Sequence, residues 1–173
     1  MKRLYLLQAA QVRTDPSANL SEYHLPLTRR GEIRAIQFGK YMQKHGYSPD
    51  LIICAGPARV RQTLSNMWPY LHSPSHPAEV IHDYRVHLMT GEGLLSQLQQ
   101  LDERHKAVLL LGTYPGINEL ARLIKQSTDN LPDASSPEKA PAGFMVFDCG
   151  NALWKTLASG SAQLLETFNA RLF

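Results

Sequence analysis

The stretch LIICAGPARVRQT, residues 51–63, sets the architecture that we predict for this chain. Leu51–Cys54 is an unbroken apolar run, which is typical of a strand buried on both faces. Ala55-Gly56-Pro57 is a turn signal, and a helix is predicted from about Ala58 to Tyr70. A buried strand that leads through a tight turn into a helix is the repeating unit of a parallel α/β sheet.

The same alternation continues in both directions from this unit. Leu4–Leu7 and Ala107–Leu111 predict two more buried strands, and Glu79–Ile81 predicts a short one. A helix is predicted over residues 28–46, with Thr28 as its N-cap. The helical spacing of the leucines in Leu94–Leu101 predicts another that ends near Arg104. A further helix is predicted with Pro115 in its first turn.

The last third of the chain departs from this alternation. Phe144–Phe147 and Ala152–Leu157 are predicted to form an antiparallel pair, and Gln163–Phe168 is compatible with a strand or a short helix. Residues 127–142 are rich in Ser, Pro and Asp and are predicted to form a mobile excursion. The predicted fold class is α/β, a three-layer α/β/α sandwich around a mostly parallel mixed sheet, in one domain over residues 1–173.

Composition restricts the function classes. With 173 residues and 43% hydrophobic content, the chain can bury the core of one globular domain. The net charge is only +3 and the longest basic cluster is Arg29-Arg30, which argues against a nucleic-acid partner. There is no apolar run of the roughly 20 residues that a membrane span needs. Cys54 and Cys149 stand far apart and are predicted to be free thiols, so we expect a soluble, cytoplasmic protein.

Parallel α/β sheets bind ligands at the carboxyl ends of their strands. Three such ends are Gln8-Ala9-Ala10, Ala55-Gly56-Pro57 and Gly112-Thr113-Tyr114. We therefore predict that any functional site is assembled from these three segments.

Several motifs near those strand ends carry a family resemblance. Pro26–Gly31 matches a Pro-Leu-Thr-x-x-Gly element, and Arg59–Leu64 matches an Arg-x-x-Gln-Thr helix start. Leu111–Gly116, followed by Glu119–Ala121, matches a Gly-His-Asn-Pro-Gly…Leu-Ala segment. With these motifs in this order along the sequence, the chain resembles the histidine phosphatase superfamily. Within that superfamily it is most similar to small bacterial phosphohistidine phosphatases of the SixA type. The resemblance implies a phosphoglycerate-mutase-like fold without a cofactor.

The resemblance also locates the family's four catalytic positions. The first strand of the family ends in Arg-His, where the histidine becomes phosphorylated, and these positions hold Gln8 and Ala9. The second arginine is retained as Arg59, whereas the second histidine is replaced by Thr113. The family's Ser-Pro before that arginine is Ala55-Gly56, and its arginine before Pro-Leu-Thr is Leu25.

These replacements change the chemistry that we expect. Ala9 has no lone pair with which to form a phosphoenzyme, and loss of a nucleophile costs on the order of 10⁶ in rate. Gln8 and Thr113 can donate hydrogen bonds but carry no charge. Phosphate affinity should therefore be about 10- to 1,000-fold weaker than with the two cationic donors of the family. We predict no catalytic residue at these positions, an anion-binding Arg59, and a pocket lined by Gln8, Ala9, Thr113 and Tyr114.

Three functions follow from this pattern. The leading hypothesis is an inactive pseudophosphatase that binds a phosphorylated protein or a small anion through Arg59. One alternative is an active phosphatase or phosphotransferase that uses a substitute nucleophile or a bound water, with activity that depends on His24 or Asp83. Another is an interaction protein with a vestigial pocket, in which Arg59 pairs with a carboxylate and Tyr114 serves packing. A histidine brought against Arg59 from elsewhere would argue against an inert pocket. The oligomeric state stays open.

A histidine-rich region offers a competing interpretation as a metal site. His72 and His76 have the i, i+4 spacing of helical metal ligands, but Pro74 and Pro77 preclude a regular helix there. A second group, consisting of His82, Asp83 and His87, shows no clear ligand pattern. We therefore predict a solvated loop and no metal.

Overall fold

Four helices and six strands alternate along the described part of the chain, which comprises residues 1–9, 21–71, 73–126 and 143–169 of a computed structural model. The strands are β1 (Lys2–Gln8), β2 (Leu51–Ala55), β3 (Glu79–Asp83), β4 (Ala107–Gly112), β5 (Gly143–Gly150) and β6 (Gln163–Phe168). The helices are α1 (Arg29–Lys44), α2 (Ala58–Leu71), α3 (Gly91–Gln99) and α4 (Gly116–Ile124). Short 3₁₀ helices form at Glu22–His24, Tyr84–Leu88 and Trp154–Thr156.

All six strands form one mixed sheet in the order β3-β2-β4-β1-β5-β6. The first four strands are parallel, and β5 runs antiparallel to both β1 and β6. In the central register Gln8 lies opposite Gly112, and Cys54 lies opposite Leu111. The carboxyl ends of β1, β4 and β2 therefore meet at one edge, as the sequence predicts.

The helices form two pairs, α1 with α2 and α3 with α4. The β1-α1-β2-α2-β3 path moves toward one side of the sheet, and the chain returns through α3 to β4. Connections between parallel strands are right-handed, so two connections that run in opposite directions across the sheet lie on opposite faces of it. The α1–α2 pair therefore covers one face of the sheet, and the α3–α4 pair covers the other. The predicted α/β sandwich with a mostly parallel mixed sheet is thus confirmed.

Local signals account for the central elements. Leu4, Leu6, Ile52 and Leu109 are completely buried, which explains why β1, β2 and β4 are apolar runs without polar alternation. The Thr28 hydroxyl accepts a hydrogen bond from the Gly31 amide at 3.0 Å and caps the start of α1.

The predicted pairing of Phe144–Phe147 with Ala152–Leu157 is wrong. β5 instead pairs with β1 on one side and with β6 on the other, so no edge remains for the intervening segment. Trp154 lies in a 3₁₀ helix, is 1% exposed, and donates its indole N–H to the His105 carbonyl at 2.8 Å. The apolar content of this segment reflects the burial of a turn and not strand alternation.

The end of helix α3 also differs from the prediction. Helix α3 begins at Gly91, with Thr90 as its cap, and ends at Gln99, five residues before Arg104. Leu101 is half-buried beyond the helix end, so its helical spacing overestimates the helix length.

The segment Gln163–Phe168, for which the sequence is compatible with a strand or a short helix, is a strand. The mobile excursion predicted at 127–142 lies outside the described residues. Among the described helices, none combines the length and apolarity needed to cross a membrane.

Candidate anion-binding site

The described residues of the three predicted segments, which include Gln8 and Ala9 of the first, lie side by side at the carboxyl edge of the sheet. The Ala9 amide donates to the Gly112 carbonyl at 3.0 Å, which extends the β1–β4 ladder by one residue. Gln8 and Thr113 are only 4% and 5% exposed, and Ala9 is buried beside them. The edge thus presents a carboxamide, a methyl group and a hydroxyl in a buried setting.

Arg59 brings a positive charge to this edge from the first turn of α2. Its side chain is 8% exposed, and burial lowers the pKa of Arg59, while the charge of Glu22 opposes this shift. A guanidinium nevertheless stays protonated in proteins. Arg59 Nη1 lies 3.4 Å from the Glu22 carbonyl oxygen, and Nη2 lies 3.5 Å from the Glu22 carboxylate. The arginine retained by the resemblance is therefore charged and paired with a carboxylate.

Gln8 is held in one orientation by helix α4. The Asn118 side-chain amide donates to Gln8 Oε1 at 2.6 Å. This contact connects β1 to the first turns of α4 and restricts the Gln8 carboxamide. Asn118 was not among the predicted site residues, although its place on the helix that follows Thr113 could have suggested it.

His87 is the principal residue that sequence reasoning missed. It lies in the 3₁₀ helix after β3, half-buried and outside any solvated loop, with Nδ1 3.3 Å from Thr113 Oγ1. Burial lowers the pKa of His87 below its usual value, the Arg59 charge lowers it further, and Glu22 acts in the opposite direction. The imidazole is therefore neutral at neutral pH. The sequence could have suggested His87, because residues that follow the parallel strand β3 reach the same edge of the sheet as Ala55.

Tyr23 and Gly56 are in close contact beside His87. A Cβ atom at Gly56 would lie 2.0 Å from the Tyr23 hydroxyl and 2.9 Å from Tyr84 Cβ. The Tyr23 ring meets the His87 ring edge-on at 5.7 Å between centroids. Glycine at position 56 is thus required by the presence of Tyr23, a contact that no local sequence pattern indicates.

The candidate nucleophiles His24 and Asp83 have other partners. His24 is exposed, and its Nδ1 lies 2.7 Å from the Ser21 hydroxyl. Both carboxylate oxygens of Asp83 accept hydrogen bonds from Arg85, which lowers the pKa of Asp83 and keeps it ionised. Tyr114 is half-buried directly after Thr113.

The histidines weighed as metal ligands are separated in the structure. His76 is exposed beside Ser75, His82 lies on β3, and His87 faces Thr113. His72 lies outside the described residues. Within the described ranges, no group of three or more His, Cys, Asp and Glu side chains could hold a metal ion.

Comparison with solved structures identifies the fold. A protein from Nakamurella multipartitia, assigned as a SixA phosphohistidine phosphatase, superposes with a TM-score of 0.75 at 22% identity, covering 97% of this chain and 95% of its own. One from Agrobacterium tumefaciens with the same assignment gives 0.75 at 20% identity, covering 98% and 99%. The chain has the fold of the SixA phosphohistidine phosphatases. This confirms the fold that the resemblance predicts.

A third structure with this SixA fold shows which ligand such a protein has been solved with. The protein histidine phosphatase SixA complexed with tungstate gives a TM-score of 0.71 at 15% identity, covering 96% of both chains. No protein-family model and no curated protein sequence matches this chain. At these identities the SixA fold is shared, and the chemistry of the site follows from its own residues.

Proposed function

We propose that this protein is a pseudophosphatase that uses the SixA fold to bind a phosphoryl group, on a phosphorylated protein or as a small anion, without forming a phosphohistidine. The observation that carries the proposal is that a buried, charged Arg59 follows the end of β2 at the same edge of the sheet as Ala9 and Thr113.

The donors at this edge suit the binding of an anion better than its transfer. Arg59 supplies one charge, and Gln8 and Thr113 supply a neutral carboxamide and a hydroxyl. Phosphoryl transfer also requires an attacking atom in line with the leaving oxygen. Ala9 presents a methyl group where the resemblance places that nucleophile, so the bound anion has no covalent route at this position.

A binding experiment with inorganic phosphate tests the proposal. We expect calorimetric titration to show phosphate binding to the wild type and a loss of about 10- to 150-fold in affinity for Arg59→Ala, since a charge-assisted hydrogen bond contributes about 1.5–3 kcal/mol. Arg104→Ala is the matched control, because Arg104 is an exposed arginine that also pairs with a carboxylate, that of Glu79. Equal losses in both variants, or no binding at millimolar phosphate, would contradict the proposal.

An activity assay tests the absence of phosphoryl transfer. We expect wild-type turnover of para-nitrophenyl phosphate and of phosphohistidine protein to be no greater than that of Arg59→Ala. Wild-type turnover well above this control would show that another group acts as the nucleophile.

His87 specifically favours that second candidate function, a phosphatase with a substitute nucleophile. Its neutral imidazole lies against Thr113 and within the field of Arg59, whereas His24 is exposed and Asp83 is bound to Arg85. A neutral imidazole nitrogen can attack phosphorus as the P–O bond to the ester oxygen breaks and that oxygen takes a proton from water; a second water then hydrolyses the phosphoimidazole and frees the imidazole and inorganic phosphate. This function predicts turnover that His87→Asn abolishes and His24→Asn leaves unchanged.

A further inference from the structure

We propose that the Glu22–His24 3₁₀ turn is an internal occupant of the anion site, with Glu22 as a tethered competitor for Arg59 and Tyr23 as the group that closes the pocket. An external anion then binds by displacing this turn. The inference rests on the proposed function and describes the regulation of the same site.

The charge pairing supports the competitor role of Glu22. The carbonyl and carboxylate contacts of Arg59 both come from this one residue, at 3.4 and 3.5 Å. A buried guanidinium is stable only when an acceptor compensates for its lost hydration. A carboxylate and a phosphoryl group present similar oxygens to a guanidinium, so they compete for the same N–H groups.

The steric fit supports the closing role of Tyr23. Its hydroxyl lies where even the smallest side chain at position 56 would stand, and its ring lies edge-on to His87. Tyr23 thus fills the space between α2 and the 3₁₀ helix that carries His87. With the turn in this place, the site has an occupant from its own chain.

The turn is held weakly enough to be displaced. The Glu22 side chain is 74% exposed, and both of its distances to Arg59 are long for charge-assisted hydrogen bonds. The turn has no side-chain cap at its N-terminal residue Ser21, and none of its residues is buried. A phosphoryl dianion carries more charge than the carboxylate, and the exchange therefore favours it once it is present at sufficient concentration.

The test compares phosphate affinity in matched variants. We expect calorimetry to give about 3- to 30-fold tighter binding of inorganic phosphate by Glu22→Gln, because the amide removes the competing charge. Glu32→Gln is the control, since Glu32 also pairs with an arginine, Arg29, outside the site. Tyr23→Ala, which removes the closing side chain, should change affinity in the same direction as Glu22→Gln.

A second measurement reports on the turn without any ligand. Because Glu22 raises and Arg59 lowers the pKa of His87, Glu22→Gln should shift the proton NMR titration of His87 to lower pH, whereas Glu32→Gln should not. Circular dichroism checks that each variant is folded, and the phosphate affinity of Tyr23→Ala is the deciding measurement if Glu22→Gln does not fold.

The outcomes separate this inference from the proposed function. Unchanged or weaker phosphate binding in Glu22→Gln, with the wild type still binding through Arg59, would overturn the internal occupant alone, and the same result in Tyr23→Ala would overturn the closing role of Tyr23. Absence of binding in all variants would overturn the proposed function, and this inference with it.

Discussion

At the scale of single residues, His87 is a histidine of the site whose protonation affects the stability of the fold. Its pKa is lowered first by burial and then by Arg59, so the folded protein holds it neutral. The unfolded chain, with an ordinary histidine pKa near 6.5, takes up this proton earlier on acidification. His87 therefore makes the fold less stable as the pH falls from about 6.5 through the lowered pKa of the folded state.

Anion binding should show the opposite dependence on pH. A bound anion favours the protonated imidazole, so we expect sulfate affinity to rise as the pH falls from 7 to 5, by up to about tenfold. Sulfate is the suitable probe because its charge is constant over this range. Calorimetry at several pH values should show the rise in the wild type and in His24→Asn but not in His87→Asn. A rise that persists in His87→Asn would assign the effect to another group.

At the scale of elements, the contact between α1 and α2 depends on a glycine. A Cβ atom at Gly39 would lie 2.8 Å from Tyr70 Cδ2 and 3.1 Å from the Met67 Cα. The close approach of these helices places α2, and hence Arg59 at its start, against the sheet. Gly93 on α3 differs, because its nearest neighbours would lie at 3.4 Å or more, within ordinary contact distance.

Alanine substitutions at these two glycines should have opposite effects. Gly39→Ala forces a backbone shift, and we expect it to lower the free energy of unfolding by about 1–2 kcal/mol after its gain in helix propensity. Gly93→Ala should raise it by about 0.5–1 kcal/mol, since it gains propensity without a clash. Urea unfolding measures both. A stabilising Gly39→Ala would show that the helices are not in close contact.

At the scale of the whole molecule, the SixA frame is retained while its chemical groups differ. Structures with TM-scores of 0.75 share only 22% and 20% of residues with this chain. The ends of β1 and β4 meet at the site, as they do in any sheet of this topology. The residues at these ends are Gln8, Ala9 and Thr113, which differ from those that the resemblance expects. The frame alone therefore does not determine phosphoryl-transfer chemistry.

Placing the residues that the resemblance expects at these positions should allow phosphoryl transfer at position 9. We expect the triple variant Gln8→Arg, Ala9→His and Thr113→His to hydrolyse para-nitrophenyl phosphate faster than the wild type. Addition of Arg59→Ala should return it to background. Since His87 lies 3.3 Å from the Thr113 hydroxyl, the triple variant is best made with His87→Ala as well, to admit the larger imidazole. A folded variant that shows neither turnover nor a phosphoenzyme by ³¹P NMR would contradict the positional match.

Local patterns are enough to predict the helices and strands of the first two thirds of the chain and the edge at which the site lies. They are apolar runs such as Leu51–Cys54 and cap residues such as Thr28. The presence of Arg59 and the absence of an imidazole at Ala9 and Thr113 could also be read directly from the resemblance.

The partners of β5 and the surroundings of Arg59 could not be predicted before the packed fold was known. β5 takes β1 and β6 as neighbours, although a local hairpin is closer in sequence. Glu22 lies 37 residues from Arg59, and His87 lies 26 residues from Thr113. The physical reason is that such contacts form when separate elements pack on one sheet, and neither periodicity nor spacing within a segment encodes them.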